Sequence, residues 1–461
     1  MLRIFLFYSL LYAFKISQIQ LERLSYTVMD TDRKLVCSLL LLGLIIALPL
    51  RSDPEKSITD SDRGAVLDHV ARRKAAVRAG DFLLRILDDS GRFVYRINPM
   101  YPKIKAKYNW LRHAGSVYSL CQLYEVTRQQ KYLDAANRAT TNFVQHIKPV
   151  QCGGAGVYAA LISDPAVTGS KPELGPVIKT GGCALAMIAM SYVDELNDSE
   201  RHRPTLLLMS DYIRFCQRDS GDLNSKYILG LQGFHDWQSQ YYQGETLVAL
   251  ARLQRAYPTD KNQTTMVRLL VYLADQWQAS TIVDRSPQRP LSRAFDHWGL
   301  LGLNAGFDLV TDEQLAEHSS RWTRKKLLQL AVDYCEDELK RILVTGSTPY
   351  IGCFEGREGA VTPTSIRMEG IQAVQNLVFM HGRTYSVDFG QTIWWWDQRI
   401  DLALRFLLSA QYSAGHAAMW PDIVNVDGAI HRSAVLGLEE RSSEIRIDYC
   451  QHVISALLGK Y

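Results

Sequence analysis

Several short motifs that mark common protein classes are absent from this 461-residue sequence. None of its eight cysteines belongs to a C-x-x-C pair, so we expect no zinc ribbon. There is no G-x-S-x-G, P-loop or H-E-x-x-H segment, so the sequence lacks the signatures of three enzyme classes. Lysine and arginine total 52 against 48 acidic residues, and no basic block stands out. The sequence therefore predicts no nucleic-acid partner.

The N-terminal region has a different composition from the rest of the chain. Residues 1–19 are apolar and aromatic, and after a polar break residues 35–50 form a run without a charge. Arg33 and Lys34 precede this run, which is the pattern of a signal peptide or an uncleaved anchor. We therefore expect a signal or anchor over 1–50, a polar linker over 51–63, and an exported or membrane-anchored protein on the periplasmic side. A buried core helix is the alternative interpretation.

From residue 64 onward, two kinds of predicted helix alternate. The first kind is amphipathic: residues 129–147 place Tyr132, Leu133, Ala136 and Phe143 on one apolar stripe. One wet face and one dry face are typical of a helix on the outside of a domain. Similar segments occur near residues 66–88, 202–218, 262–279, 322–343 and 391–412.

The second kind of helix is apolar nearly all round and rich in small residues. Such a helix is buried on every side. Gly115, Gly182, Gly244, Gly299 and Gly370 open five of these segments at intervals of 67, 62, 55 and 71 residues. A recurring interval of this kind indicates a repeat architecture. The six segments are Tyr108–Tyr124, Thr180–Val193, Tyr241–Leu253, Phe295–Leu309, Ile366–Met380 and Ile445–Leu458.

Six pairs of one outer and one inner helix predict an all-α fold, an (α/α)6 toroid of six helical hairpins over residues 64–461. An open α-solenoid is the alternative, but it needs polar capping helices, whereas the last segment here is of the buried kind. Long irregular stretches precede the inner helices and short loops follow them. Because long loops in compact domains are usually functional, we expect the site where the inner helices begin. The long stretches are residues 148–179, 219–240, 280–293, 344–364 and 413–443.

The first turns of the inner helices are rich in carboxylates, imidazoles, guanidinium groups and aromatic rings. Glycosidic cleavage needs two carboxyl groups, and Asp296 and Glu369 are the leading pair because they lie on successive inner helices. Glu245, Asp448 and the loop residue Asp236 are the further catalytic candidates. The candidate substrate-binding residues are Trp110, Arg112, His113, Tyr241, Tyr242, His297, Trp298, Arg367, Arg446 and Trp237.

A structural role is the alternative for each of these residues, since tightly packed inner helices often bury ion pairs. Arg367 with Glu369, or Arg446 with Asp448, would be such pairs. Other toroids offer no better match, because neither the D-x-D-D run of terpene cyclases nor the Cys-His-Gly segment of zinc-binding toroids occurs. We therefore predict carbohydrate chemistry without a metal or another cofactor.

The alternation of inner and outer helices resembles the six-hairpin glycosidase-like superfamily over about residues 64–461. That resemblance lies in architecture, and it implies a site in the funnel at the inner-helix N-termini. A narrower segment, Arg446-Ile-Asp448-Tyr449 followed by His452, is similar to the closing segment of glucuronyl C5-epimerases. The tyrosine-rich catalytic stretch of those enzymes is not recognisable upstream.

The resemblance implies an enzyme that acts on a poly- or oligosaccharide, most simply a glycoside hydrolase. A uronate C5-epimerase or a polysaccharide lyase is the alternative enzyme. A non-catalytic glycan-binding scaffold of an envelope polysaccharide system is the alternative of another class. Two carboxyl groups facing each other across the funnel would favour a hydrolase over a binding protein.

Overall fold

The computed structural model describes residues 68–100, 107–154, 156–170, 172–283, 295–346, 349–354, 359–420, 424–433 and 442–459. These residues belong to one compact unit, Ala65–Tyr461. No helix within them is both long enough and apolar enough to cross a membrane. The predicted signal or anchor (1–50) and linker (51–63) lie outside the described residues, so export and membrane attachment stay predictions.

In the part of the chain that the structure describes, twelve long helices make six hairpins, each consisting of an odd-numbered helix followed by an even-numbered one. They are α1 (His69–Arg85), α2 (Trp110–Thr127), α3 (Gln130–Val144), α4 (Thr180–Leu196), α5 (Arg203–Cys216), α6 (Tyr242–Ala256), α7 (Asp260–Val283), α8 (His297–Gly306), α9 (Arg324–Leu339), α10 (Val361–Tyr385), α11 (Ile393–Ser409) and α12 (Ile447–Leu458). Shorter α-helices occur at Pro165–Thr168, Asp312–His318 and Ala414–Ala417.

The predicted alternation of outer and inner helices is confirmed. The amphipathic α3 buries Tyr132, Leu133 and Phe143 and exposes its opposite face. In contrast, α4 buries every residue from Thr180 to Asp194. Each even-numbered helix packs against the even-numbered helices before and after it, and α12 packs against α2. The inner helices therefore form a closed ring, as the apolar character of the last segment predicts.

Polar contacts join the first and last hairpins. Ser455 on α12 donates a hydrogen bond of 2.6 Å from its Oγ to Oε1 of Gln122 on α2. The Arg72 Nε on α1 donates to the Leu457 carbonyl at 3.0 Å. In addition, the two-residue strands β1 (Arg96–Ile97) and β7 (Ile445–Arg446) pair antiparallel. These bonds replace the polar caps that an open solenoid would need.

Two of the loop regions contain a small sheet that the sequence analysis treated as irregular. Its five antiparallel strands are β2 (Ile147–Gln151), β3 (Val157–Ser163), β4 (Val177–Lys179), β5 (Lys226–Ile228) and β6 (Gly233–Phe234), in that spatial order. The strands β4 and β5 come from different hairpins and have three residues each. Strands this short leave little periodicity in the sequence, and the pairing of β4 with β5 joins residues of two different hairpins.

The inner helix α10 begins at Val361, five residues before the start that the apolar pattern predicts. The segment contains Pro363, which favours a loop interpretation of residues 344–364. A proline is compatible with the first turn of a helix, however, because the N–H groups there have no partner inside the helix. Arg367 and Glu369 consequently lie in the second and third turns of α10, deeper in the ring than predicted.

The helices α6 and α8 approach each other closely at Gly244 and Gly299. A Cβ atom at Gly244 would lie 2.6 Å from the Trp298 carbonyl carbon and 2.7 Å from an Asp296 carboxylate oxygen. We expect Gly244→Ala to lower the free energy of unfolding by about 2 kcal/mol, because forced backbone shifts of about 3 kcal/mol outweigh the gain of about 1 kcal/mol in helix propensity. Urea denaturation measures this change.

Gly230→Ala provides the matched control, since a Cβ atom there would have no neighbour within 4 Å. We expect it to change the free energy of unfolding by less than about 0.5 kcal/mol. Equal effects of the two substitutions would mean that the close approach of α6 and α8 does not limit the size of residue 244.

Candidate functional site

Two histidines and one glutamate from three successive inner helices meet in the ring, and we call them the His–Glu–His cluster. His297 is the first residue of α8, Glu369 lies in α10, and His452 lies in the second turn of α12. The Nδ1 atom of His452 is 3.1 Å and 3.2 Å from the two oxygens of Glu369. The Nε2 atom of His297 is 3.7 Å from Glu369, and the two imidazole centroids are 5.5 Å apart. The cluster thus places two imidazoles around one carboxylate.

The two histidines of this cluster differ in their surroundings. His297 is buried, and neither of its ring nitrogens has a hydrogen-bond partner among the described residues. Burial, reinforced by the neighbouring His452, holds the pKa of His297 well below its usual value. His297 is therefore a neutral imidazole at neutral pH, which makes it a candidate proton acceptor.

Glu369 orients the imidazole ring of His452, the second histidine of the cluster. Burial raises the pKa of Glu369, and the charge and hydrogen bond of His452 act in the opposite direction. Because Glu369 faces Nδ1 of His452, a proton on Nδ1 is held by the carboxylate and Nε2 is left to exchange a proton with a ligand. A neutral base and a carboxylate-oriented imidazole are the parts of an acid–base pair.

The same three side chains are also a possible set of metal ligands. Their nearest ligand atoms all lie within 4.8 Å of one another. Two imidazoles and one carboxylate with open positions suit zinc or iron(II). Chelation of any metal from the purified protein therefore tests the prediction of metal-free chemistry directly.

A second group of charged residues lies next to the cluster. Asp448 on α12 accepts two hydrogen bonds from the Arg446 guanidinium group, at 2.5 Å and 2.9 Å, and lies 3.1 Å from the Arg112 Nε. Although burial acts to raise the pKa of Asp448, Arg112 and Arg446 hold it below its usual value. An ionised carboxylate held by two guanidinium groups favours the structural alternative for the Arg446–Asp448 pair.

Glu245 in the first turn of α6 is a buried carboxyl group with an unused acceptor. Glu245 is only 5% exposed, and its Oε2 atom has no hydrogen-bond partner among the described residues. Burial, together with the charge of Asp296, raises the pKa of Glu245 to about 8. A Cβ atom at Gly181 would overlap this oxygen, so the glycine makes room for the carboxyl group.

The pKa of Glu245 makes a prediction about folding stability. An acid whose pKa is higher in the folded state, here about 8 against a reference value of 4.5, stabilises the fold at low pH. That stabilisation is lost as the pH rises through this interval, by up to about 1.4 kcal/mol per pH unit. Between pH 7 and 8 we expect the wild-type free energy of unfolding to fall by about 1 kcal/mol, and Glu245→Gln to remove this decline.

The interval from pH 7 to 8 separates Glu245 from the buried groups Asp296, His113 and His431. Burial raises the pKa of Asp296 only to about 6, and burial lowers the pKa of His113 and His431 to about 4. Glu200→Gln, at an exposed position, is the control and should keep the wild-type slope. Urea melts at both pH values measure it, and a wild-type curve that is flat over this interval would contradict the assignment.

Asp296, which the sequence analysis paired with Glu369, has the contacts of a helix cap. One of its carboxylate oxygens accepts a hydrogen bond of 2.9 Å from the Gly299 N–H, and the other accepts one of 3.0 Å from the Trp277 indole N–H. Asp296 is the N-cap residue of α8 and is buried. Both oxygens are thus engaged by the protein, which supports a structural role in this structure.

Three other predicted site residues lie in the core or in a structural pair. His113 is fully buried, with its ring nitrogens 2.6 Å from the Tyr108 hydroxyl and 2.8 Å from the Ala139 carbonyl. Trp110 packs against the His146 ring, with centroids 4.4 Å apart. Arg367 pairs with Glu338 of the outer helix α9 at 2.7 Å instead of with Glu369. Among the described residues, none of these three forms a hydrogen bond or an ion pair with the His–Glu–His cluster.

The aromatic candidates lie nearer to the cluster. The Tyr241 ring centroid is 5.8 Å from that of His297, and the Trp298 centroid is 5.3 Å from it. Tyr242 follows Tyr241 and packs against Trp237 at 5.8 Å. Trp237 remains 46% exposed, so an aromatic face is open to solvent close to the starts of the inner helices.

His452 was among the polar residues of the sixth inner segment but was not among the predicted site residues. Its sequence signal was the spacing from Asp448, since residues four apart lie on one face of a helix.

The sequence predicts a site where the inner helices begin, but the structure also has a cavity at the other end of one of these helices. A cavity of about 750 Å³ lies at the opposite rim, between the end of α10 and the start of α11, and it contains none of the predicted site residues.

Comparisons with known proteins support the architecture. No protein-family model matches the sequence. No curated protein sequence matches it either. Among solved structures, a D-mannose isomerase covers 85% of this chain and 97% of its own, with a TM-score of 0.54 and 11% identity. Cellobiose 2-epimerase from Spirochaeta thermophila covers 87% of this chain and 99% of its own, with a TM-score of 0.51 and 14% identity.

A third similar structure is a family 76 glycoside hydrolase from a bovine Bacteroides thetaiotaomicron strain. It covers 85% of this chain and 78% of its own chain, with a TM-score of 0.53 and 12% identity. At such identities the comparisons establish the fold and leave the reaction to the site. The chain has an (α/α)6 toroid fold, which it shares with these solved structures.

Proposed function

We propose that this protein is a carbohydrate-active enzyme that isomerises or epimerises a sugar by moving a proton at a carbon next to a carbonyl-type group. The His–Glu–His cluster carries this proposal, because proton transfer at carbon needs one base and one acid on a common substrate. His297 offers the base and His452, oriented by Glu369, offers the acid. Isomerases and epimerases of sugars are among the proteins that share the fold.

The reaction begins with removal of the proton from the carbon next to the carbonyl group by the neutral imidazole of His297. The electron pair of the broken C–H bond forms the C=C bond of an enediol. His452, with both ring nitrogens protonated at this step, donates its Nε2 proton to the carbonyl oxygen and keeps its Nδ1 proton hydrogen-bonded to Glu369. A proton then returns to the neighbouring carbon, which gives an isomer, or to the opposite face of the same carbon, which gives an epimer. One hydroxyl proton passes back to a histidine as the new carbonyl group forms.

Hydrolysis, the function favoured by the sequence, is the second candidate because of Glu245. Burial and Asp296 raise the pKa of this carboxyl group to about 8, so it is protonated at neutral pH as a glycosidase acid must be. Hydrolysis also needs a second carboxyl group. The two carboxylates discussed next were predicted from the sequence, and both are less available as the partner of Glu245. Asp296 caps α8, and Asp448 is held by two arginines.

One experiment separates the proposed reaction from hydrolysis. The full chain is incubated in D2O with a panel of aldoses, ketoses, uronates and oligosaccharides, and proton NMR follows each sugar. We expect loss of the signal of one C–H next to the carbonyl or carboxylate group, together with a new isomer or epimer. Release of new reducing ends without deuterium exchange would instead establish hydrolysis and contradict the proposal. Absence of both reactions would favour the glycan-binding scaffold.

A further inference from the structure

Two lysines face each other beside the site without an acidic partner. Lys179 ends β4 and is the N-cap residue of α4, and Lys226 begins β5. The antiparallel pairing of β4 and β5 sets these two residues directly opposite each other. Neither forms an ion pair with a carboxylate in the part of the chain that the structure describes. Like charges directly opposite each other destabilise a sheet, so this arrangement calls for a compensating negative charge.

An exposed aromatic ring lies next to the lysine pair. The Lys226 ammonium group is 5.0 Å from the centre of the Trp237 ring, and Trp237 packs edge-on against Tyr242. Because Trp237 is 46% exposed, one side of it remains open. An open indole face beside cations suits a ring with apolar C–H groups and a negative substituent, since the C–H groups pack on the indole and the charge meets the ammonium groups.

The surroundings add positive charge. Among the residues that the structure describes, the three guanidinium groups of Arg96, Arg112 and Arg446 share the two carboxylates of Glu444 and Asp448, which leaves one positive charge in excess in this set. Burial lowers the pKa of Lys179, and the charges of Lys226 and Arg112 lower it further, with no carboxylate acting in the other direction.

The lysine pair is connected to the His–Glu–His cluster through the start of α6. Trp237 contacts Tyr242, and the preceding Tyr241 lies against the His297 ring at 5.8 Å between centroids. On the other side, Arg112 binds Asp448, which lies one helical turn before His452 on α12. The cationic group and the cluster are therefore linked by side-chain contacts through α6 and α12.

We propose that the substrate is an acidic sugar, whose carboxylate is bound by Lys179 and Lys226 while its ring packs on Trp237. This inference rests on the proposed function for the reaction at the His–Glu–His cluster, but the binding it describes does not require turnover. A neutral sugar would leave the two ammonium groups uncompensated, so the site selects against it.

Binding is measured by isothermal titration calorimetry on the full chain at low ionic strength. The probes are glucuronate, galacturonate and mannuronate, with oligogalacturonides, each against its neutral counterpart. We expect at least one acidic probe to bind at least tenfold more tightly than its neutral counterpart, and added salt to weaken that binding. Lys179→Met and Lys226→Met should each weaken it about tenfold, as expected for the loss of one charge-assisted hydrogen bond at a partly exposed site.

Three controls make the result specific. Lys148→Met, at an exposed position of β2 in the same sheet, should leave binding unchanged. The lysine variants should melt at the wild-type temperature or above it, because each removes a like-charge pair. His452→Asn should lose turnover and keep acidic-sugar binding, which separates this proposal from the proposed reaction. If no acidic probe binds more tightly than its neutral counterpart, or if Lys148→Met weakens binding as much as the other two, the inference is wrong.

Discussion

Replacing His452 with asparagine is expected to lower turnover by about 100- to 10,000-fold, the usual contribution of a positioned acid or base. The substitution keeps a polar side chain of smaller size on α12 but removes the group that exchanges protons. His297→Asn should have an effect of the same order, because the two imidazoles act in one proton transfer. The wild-type C–H exchange rate in D2O, measured by NMR, is the reference for both variants.

The exposed residue His318 gives the matched control, and His318→Asn should leave both turnover and melting temperature unchanged. Glu369→Gln tests the orienting carboxylate, and we expect it to change the pH profile of the rate as well as its size. If both cluster variants fold and keep full turnover, the His–Glu–His cluster is not the reaction centre.

A chelator distinguishes acid–base catalysis from metal chemistry at the same three residues. Because we predict no metal, turnover should be unaffected by dialysis against EDTA, and added zinc should inhibit by occupying the imidazoles. Loss of turnover with EDTA and its recovery with one divalent ion would overturn the metal-free prediction. Elemental analysis of the purified wild type and of His452→Asn gives a readout that does not depend on activity.

Asp296→Ala is expected to lower the free energy of unfolding by about 2–5 kcal/mol. The loss of the N-cap of α8 accounts for about 1–2 kcal/mol, and the Trp277 indole N–H left buried without an acceptor accounts for about 1–3 kcal/mol. Asp296→Asn should have a smaller effect than Asp296→Ala, because the single amide oxygen of asparagine still accepts one of the two hydrogen bonds. Urea denaturation at pH 7 measures both variants.

Asp68→Ala is the matched control, since Asp68 caps α1 at an exposed position, where its side chain accepts a hydrogen bond from the Val70 N–H. It should cost about 1 kcal/mol at most. An Asp296→Ala variant as stable as the wild type but without turnover would instead assign Asp296 to catalysis. That result would support the pair of carboxylates that the sequence first suggested.

The sequence by itself determined the architecture and the rim where function is expected. The order of apolar and polar residues within a helix predicts whether it is buried on one face or on all faces. The helices α3 and α4 illustrate the two cases. Six repetitions of that pattern, with a buried last helix, leave a closed ring as the simplest way to cover every apolar face. The sequence also shows where the helical pattern is interrupted, and the long interruptions are the loops before the inner helices.

Only the tertiary structure decided which polar groups meet. A periodic pattern says that a side chain faces the interior, but the partner it finds depends on the axial shift and rotation of neighbouring helices, to within about 1 Å for a hydrogen bond. Glu369 therefore meets His452, which is 83 residues away in the sequence, while Arg367 two residues before it turns to Glu338 on an outer helix. For the same reason Asp296 is a cap that binds Trp277. Lys179 faces Lys226 because β4 and β5, which belong to different hairpins, pair with each other.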